Sequence, residues 1–151
     1  MLKGIDPLLT PDLLKVLAQM GHGDELVVAD ANFTAASLGM GKPVIALPAV
    51  GVQRVALAVL SLLPLDVAVP QPLACMHVCG RPEGWRSAFQ RELVRSLGSA
   101  GHAAPAQFEA VERFAFYERV RRAFAIVHTG ELQPYANLIL KKGVIGEPLA
   151  E

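Results

Sequence analysis

Short runs of continuous apolar residues alternate along this chain with stretches in which apolar residues recur at helical spacing. Leu13, Val16, Leu17 and Met20 keep the helical period behind Thr10, a residue suited to an N-cap, with Pro11 at the first helical position and Asp12 in the first turn. Gly21 stands where such a helix stops. Residues 26–29 are continuously apolar and partly β-branched, the pattern of a strand buried on both faces, and Asp30 marks its carboxyl end. Residues 31–42 read as a loop, 43–47 as a second strand, and Val52, Val55, Ala56, Val59, Leu60 and Leu63 as the stripe of a helix ending before Pro64.

The second half repeats the alternation. Residues 66–69 and 73–78 read as strands separated by Pro70 and Pro72, and Trp85, Phe89, Leu93 and Leu97 mark a helix running up to Gly98. A short strand at 108–111 leads into a helix carrying Phe114, Tyr117 and Val120, followed by strands at 124–127 and 138–140. Strands alternating with helices predict a single α/β domain over residues 1–151, its mixed or largely parallel sheet covered by helices.

Composition narrows the function classes. The 151 residues are 52% hydrophobic and 19% charged, ample for a buried core and unlike a disordered chain. Fourteen basic residues balance fourteen acidic ones, so the overall positive field of a nucleic-acid binder is missing. The richest apolar stretch, 55–65, is broken by Ser61 and Pro64 and is shorter than the ~20 residues of a membrane span. Lys3 is followed by Asp6, Pro7, Pro11 and Asp12, which does not fit a secretory signal, and a cytoplasmic location is expected. Cys75 and Cys79 lie too far apart on an extended run for a disulfide and lack a second ligand pair at zinc spacing; both are expected to be buried thiols, with no metal.

In an open α/β sheet, ligands gather at the carboxyl ends of strands, which draws attention to four places. These are the turn holding His22 and Asp24, Asp30 after the following strand, Arg113 after the 108–111 strand, and residues 129–137. Taken singly, His22 reads equally as a loop histidine beside a helix C-terminus, Asp30 as a helix N-cap, and Asp24 as a residue holding its turn. Gly39-Met40-Gly41-Lys42 fails as a phosphate loop, because Ala36 and Pro43 occupy positions where a Walker A motif needs glycine and Ser or Thr. No nucleotide cofactor is supported. Arg119, Arg121 and Arg122, interleaved with Glu112 and Glu118, read as a solvated helix face.

Several longer motifs occur together. They are Met1-Leu-Lys-Gly-Ile-Asp-Pro-Leu-Leu-Thr-Pro, Leu14-Lys-Val-Leu-Ala-Gln-Met-Gly-His-Gly-Asp-Glu, Arg113-Phe-Ala-Phe-Tyr-Glu-Arg, Thr129-Gly-Glu and Pro134-Tyr-Ala-Asn. In this combination the chain resembles the fucose mutarotase and D-ribose pyranase family almost end to end, and Arg113 before Phe-Tyr-Glu-Arg is similar to the fucose branch. The resemblance implies that His22 is the catalytic histidine and that Asp30, Arg113 and the stretch Tyr135, Ala136 and Asn137 bind sugar. It implies a monosaccharide substrate, L-fucose first, no cofactor, and a homo-oligomeric ring, commonly a decamer of two stacked pentamers with sites near subunit contacts. Thr34 and Asn32 depart from the family pattern, which has proline and often histidine there.

The chemistry is consistent with those residue types. Mutarotation needs a proton on the ring oxygen as one leaves the anomeric hydroxyl, then the reverse, and a histidine exchanges protons both ways near neutrality. Carboxylate, guanidinium, phenol and amide groups are the natural partners of sugar hydroxyls. Two other readings are D-ribose pyranase activity and a non-catalytic monosaccharide-binding protein on the same fold. His77 and His128 are expected to be structural.

Overall fold

The computed structural model describes residues 1–150. Its elements in chain order are α1 (Pro11–Gln19), β1 (Glu25–Ala29), α2 (Ala35–Leu38), β2 (Val44–Leu47), α3 (Val52–Leu60), β3 (Leu73–Met76), α4 (Ala88–Ser99), β4 (Phe108–Val111), α5 (Arg113–Arg122), β5 (Ala125–Thr129) and β6 (Leu138–Lys141). The strands form one mixed sheet in the order β2-β5-β1-β6-β3-β4. Parallel ladders join β2 to β5, β5 to β1 and β3 to β4, while β6 runs antiparallel to both β1 and β3. Five strands therefore point one way and β6 alone runs back. The amino end of β6 consequently lies at the same sheet edge as the carboxyl ends of the other five.

Strand alternation divides the core into two layers. Leu26 and Val28 of β1 face the side covered by α1, α3 and α4, where Leu13, Val55, Val59, Leu93 and Leu97 are buried. Val27 and Ala29 face the other side, packing with Phe33, Leu38, Phe116 and Val120 from the α2 and α5 side. Because both faces are covered, the central strands are apolar over residues 26–29, 125–127 and 138–140, with no inside–outside alternation there. The first helix starts at its expected signal: Thr10 accepts a hydrogen bond from the Leu13 amide at 3.3 Å, ahead of Pro11.

Several sequence expectations are corrected. Residues 31–42 contain the short helix α2. Residues 66–69 form no strand; one isolated bridge, Leu65 to Lys142, replaces it, because the Asp66 side chain takes the Ala68 amide and turns the chain. The β3 strand stops at Met76, which leaves Cys79 beyond it and exposed, while Cys75 is buried with its thiol pushed up to about 12 by that burial. The fourth helix starts at Ala88, since Ser87 and Gln90 form a capping box that fixes its first turn. In α5 the buried residues are Phe116 and Val120, and Phe114 is exposed. Arg119 leaves the solvated face and binds Glu25 and Glu109 in a half-buried network. Lys42 donates to the Val120 and Arg121 carbonyls, 2.7 Å each, so its glycine-flanked loop caps the end of α5.

Candidate functional site

Asp30, Arg113, Tyr135 and Asn137 meet at the carboxyl edge of the sheet. Asp30 follows β1, Arg113 follows β4 at the start of α5, and Tyr135 and Asn137 precede the reversed strand β6, whose amino end reaches the same edge. Together with Asn32, Phe33, Thr34, Met76, Tyr117 and Pro134 they line a cavity of about 470 Å³, within the usual size of small-molecule sites.

The floor of this cavity is a closed polar circuit. Asp30 and Asn137, 107 positions apart, bond reciprocally: the Asp30 amide donates to Asn137 Oδ1 at 2.8 Å, and Asn137 Nδ2 donates to Asp30 Oδ2 at 3.0 Å. The Asn32 amide donates to Asp30 Oδ1 at 3.0 Å. Asp30 is 5% exposed and Asn137 4%. Burial pushes the Asp30 carboxyl above the usual carboxylate range, opposed by hydrogen bonds from Asn32, Asn137, Ala136 and Phe33. A carboxyl held this way keeps a fixed direction and still has acceptor capacity for a ligand hydroxyl.

The walls are aromatic and cationic. Arg113 Nε donates to the Tyr117 hydroxyl at 2.9 Å, which raises the Arg113 pKa, and its guanidinium stands 5.5 Å from the Tyr117 ring centre. Tyr117 packs edge-on against Phe33, their centroids 5.8 Å apart. Tyr135 is half-buried, its phenol pushed up by the Cys79 thiol beside it. Among the described residues Tyr135 is the one non-glycine residue at positive φ, +60°. Ala136 is buried and its methyl group lies outside the cavity lining; its contribution is the main-chain N–H toward Asp30.

His22 lies elsewhere. It sits in the turn before β1, so the five residues of β1, about 17 Å at ~3.3 Å per residue, separate it from the Asp30 edge. Its Nε2 lies 3.1 Å from Asp66 Oδ1, its side chain 52% exposed against 6% for the aspartate. The Ala68 amide and then His22 hold the Asp66 carboxyl below its ordinary range. Asp24 accepts from the Gly21 amide at 2.7 Å, which holds the turn. Around His22 runs a second, mostly apolar groove of about 610 Å³, lined by residues including Leu2, Leu14, Leu17, Leu62, Val144 and Ile145.

The sequence reading missed Asp66 and Tyr117 as site residues. Asp66 stood inside an expected strand, where a buried carboxylate has no reading; Tyr117 was assigned to the apolar stripe of its helix. His77 and His128 each bond one main-chain carbonyl, of Arg81 at 3.0 Å and of Ala31 at 3.1 Å. Among the described residues no group of three or more His, Cys, Asp or Glu side chains converges as a metal site would.

The family model described as the RbsD / FucU transport protein family matches residues 3–145. This chain belongs to the RbsD/FucU family. It is 47% identical to a protein of Danio rerio named fucose mutarotase, over 95% of this chain and 94% of that one. It superposes with a TM-score of 0.85 on the fucose mutarotase of Streptococcus pneumoniae solved in complex with L-fucose, at 38% identity, covering 96% of this chain and all of that one. The RbsD of Bacillus subtilis, solved with D-ribose, shares the fold at a TM-score of 0.73 and 23% identity, covering 97% of this chain and all of that one. The α/β architecture is therefore that of the RbsD/FucU fold. No helix among the described residues is long and apolar enough to cross a membrane.

Proposed function

We propose that this protein is a mutarotase that interconverts the α and β anomers of L-fucose, an isomerase working without a cofactor, with residues 1–151 acting as one domain. The observation that carries the reading is the cavity at the carboxyl edge. It has the volume for one monosaccharide and brings a fixed carboxylate, a guanidinium, two phenols and a carboxamide to bear on it, in a chain 44–47% identical to proteins named fucose mutarotase. Asp30 and Asn137 hold sugar hydroxyls at the floor, Arg113 and Tyr117 at one wall, and Tyr135 at the other, with the Ala136 main chain supporting Asp30.

His22 is the proton-transfer group in this reading. It delivers a proton to the ring oxygen while the Asp30 carboxylate takes the proton of the anomeric hydroxyl, the bond from the anomeric carbon to the ring oxygen breaks, and the open-chain aldehyde recloses on its other face with both transfers reversed. Since one chain holds His22 and Asp30 at opposite ends of β1, a neighbouring copy supplies the histidine. The apolar groove beside His22, with Leu62, Val144 and Ile145 exposed, supports such a contact. The family resemblance extends it to a cytoplasmic decamer of two stacked pentamers.

Saturation-transfer NMR on L-fucose at anomeric equilibrium tests the activity directly. Faster exchange of fucose than of D-ribose is expected; faster ribose exchange moves the assignment to pyranase, and no acceleration of either sugar leaves a binding protein. Shared sites have their own test. Inactive His22→Ala and Asp30→Ala chains, co-assembled in equal amounts, are expected to recover about a quarter of the wild-type rate, because random mixing places two intact halves together at that frequency. No recovery in a confirmed mixed oligomer would refute a site built from two chains.

A further inference from the structure

Gln90 belongs to α4, on the face of the sheet opposite α5, and lines none of the cavity. It is nevertheless 2% exposed and every polar end of its carboxamide is engaged. Its Oε1 accepts from the Ser87 amide at 3.1 Å, closing the capping box. Its Nε2 donates twice, to the Met76 carbonyl at 2.8 Å and to the Tyr135 carbonyl at 3.2 Å. Met76 ends β3 and Tyr135 precedes β6, so a single NH2 group bridges the two segments that flank the cavity floor.

The Tyr135 carbonyl belongs to a peptide with a special position. Tyr135 is at φ +60°, a conformation costly for a residue with a Cβ and kept only where its surroundings impose it. In a trans peptide C=O and N–H point opposite ways, and across this peptide the Ala136 N–H faces the Asp30 carboxyl. The peptide plane between Tyr135 and Ala136 is thus gripped on its oxygen by Gln90 and directed on its nitrogen toward Asp30.

We propose that Gln90 is a positioning residue for the sugar site: its carboxamide fixes the Tyr135–Ala136 peptide and thereby sets both the Tyr135 side chain and the direction of the Ala136 N–H toward Asp30. The effect on activity rests on the mutarotase reading given above; the effect on the peptide does not. Capping α4 is a separable duty, because the cap uses Oε1 and the Gln90 main chain, whereas the site uses Nε2.

That separation defines the experiment. Gln90→Met removes the two donated bonds together with the one Oε1 accepts from the Ser87 amide, Gln90→Glu removes the donated bonds alone, and Ser87→Ala breaks the helix cap while leaving them in place. Gln90→Met is expected to raise the fucose concentration at half-saturation about tenfold, the scale of one or two neutral hydrogen bonds, and to increase amide hydrogen exchange in a peptide spanning residues 131–137. Ser87→Ala is expected to lower the melting temperature with half-saturation and exchange in that peptide unchanged. Where Gln90→Met does not fold, Gln90→Glu, which keeps the side chain's length and its acceptance from Ser87 but has no NH2 group, carries the same expectation. The proposal is overturned if the Gln90 variants leave half-saturation and exchange over 131–137 at wild-type values, or if Ser87→Ala at matched stability shifts both as far as they do. Should the wild type fail to accelerate fucose exchange, the mutarotase reading fails, and hydrogen exchange over 131–137 still decides the role of Gln90.

Discussion

A buried aspartate stands beside each end of β1, Asp30 in the chain itself and Asp66 from the segment between α3 and β3, and the two are held on opposite plans. At the carboxyl end Asp30 is buried in a circuit that includes Asn137 and Asn32, its direction fixed before any ligand arrives. At the amino end the aspartate, Asp66, is equally buried, but it serves a histidine that is half open and has one partner. Recognition of a sugar's hydroxyl pattern rewards a rigid array, since any freedom left in it must be removed on binding. Proton transfer from a neighbouring copy requires a group that faces outward from its own chain. One strand thus has a rigid, buried polar array at one end and an outward-facing histidine at the other, which suits the separate binding and proton-transfer roles proposed for them.

The largest expected effects separate the two ends. His22→Ala is expected to lower fucose anomer exchange ~10²- to 10⁴-fold, the ordinary contribution of a placed acid or base, with fucose binding by calorimetry retained. Asp30→Ala is expected to abolish binding and exchange together. Equal loss of binding in both variants would dissolve the distinction. A smaller effect isolates the circuit: Asn137→Ala strips Asp30 of a donor and an acceptor in a buried setting, which is expected to cost ~2–3 kcal/mol of stability in denaturant unfolding, in addition to fucose affinity. Arg113→Lys removes the planar fork that binds Tyr117 and is expected to weaken fucose roughly fivefold while leaving stability unchanged, because Arg113 is exposed.

Much of this was legible along the chain, for identifiable reasons. The apolar runs that became β1, β5 and β6 are dictated by burial on both faces; Asp30, Arg113 and the segment 129–137 follow from where polar residues end strands, and the family resemblance narrows that segment to Tyr135–Asn137. The reversed direction of β6 was not legible, because an apolar strand buried on both faces reads the same in either direction. Without it Asn137 cannot be placed opposite Asp30, a pairing across 107 residues. Phe114 and Phe116 are both aromatic and two apart; only the start of α5 at Arg113, capped by the Glu112 carboxylate, decides which of them turns inward. Gln90 and Asp66 were invisible as site residues because each is a single polar residue whose meaning lies in a main-chain group or ring far away in sequence.

The finest test of the contrast is the opposite sign with which the two carboxyls couple folding to pH. Burial raises the Asp30 pKa above its unfolded value, so the folded state holds that proton more tightly. As pH rises from the ordinary aspartate value of about 3.9 toward the folded one, Asp30 makes the fold progressively less stable. Asp66 is shifted the other way, by the Ala68 amide first and His22 second. It contributes stability that is present above about pH 3.9 and is lost as pH falls toward the lower folded value. Melting temperatures of the wild type, Asp30→Asn and Asp66→Asn between pH 2.5 and 7 (a range of about 4 to 5 pH units around the carboxylate values) read this directly. Relative to Asp30→Asn, the wild type is expected to lose ground above about pH 4; relative to Asp66→Asn, its advantage is expected to shrink below about pH 4. Parallel differences in the two comparisons would mean that the aspartates share one environment, and the division of labour between the ends of β1 would fall with that result.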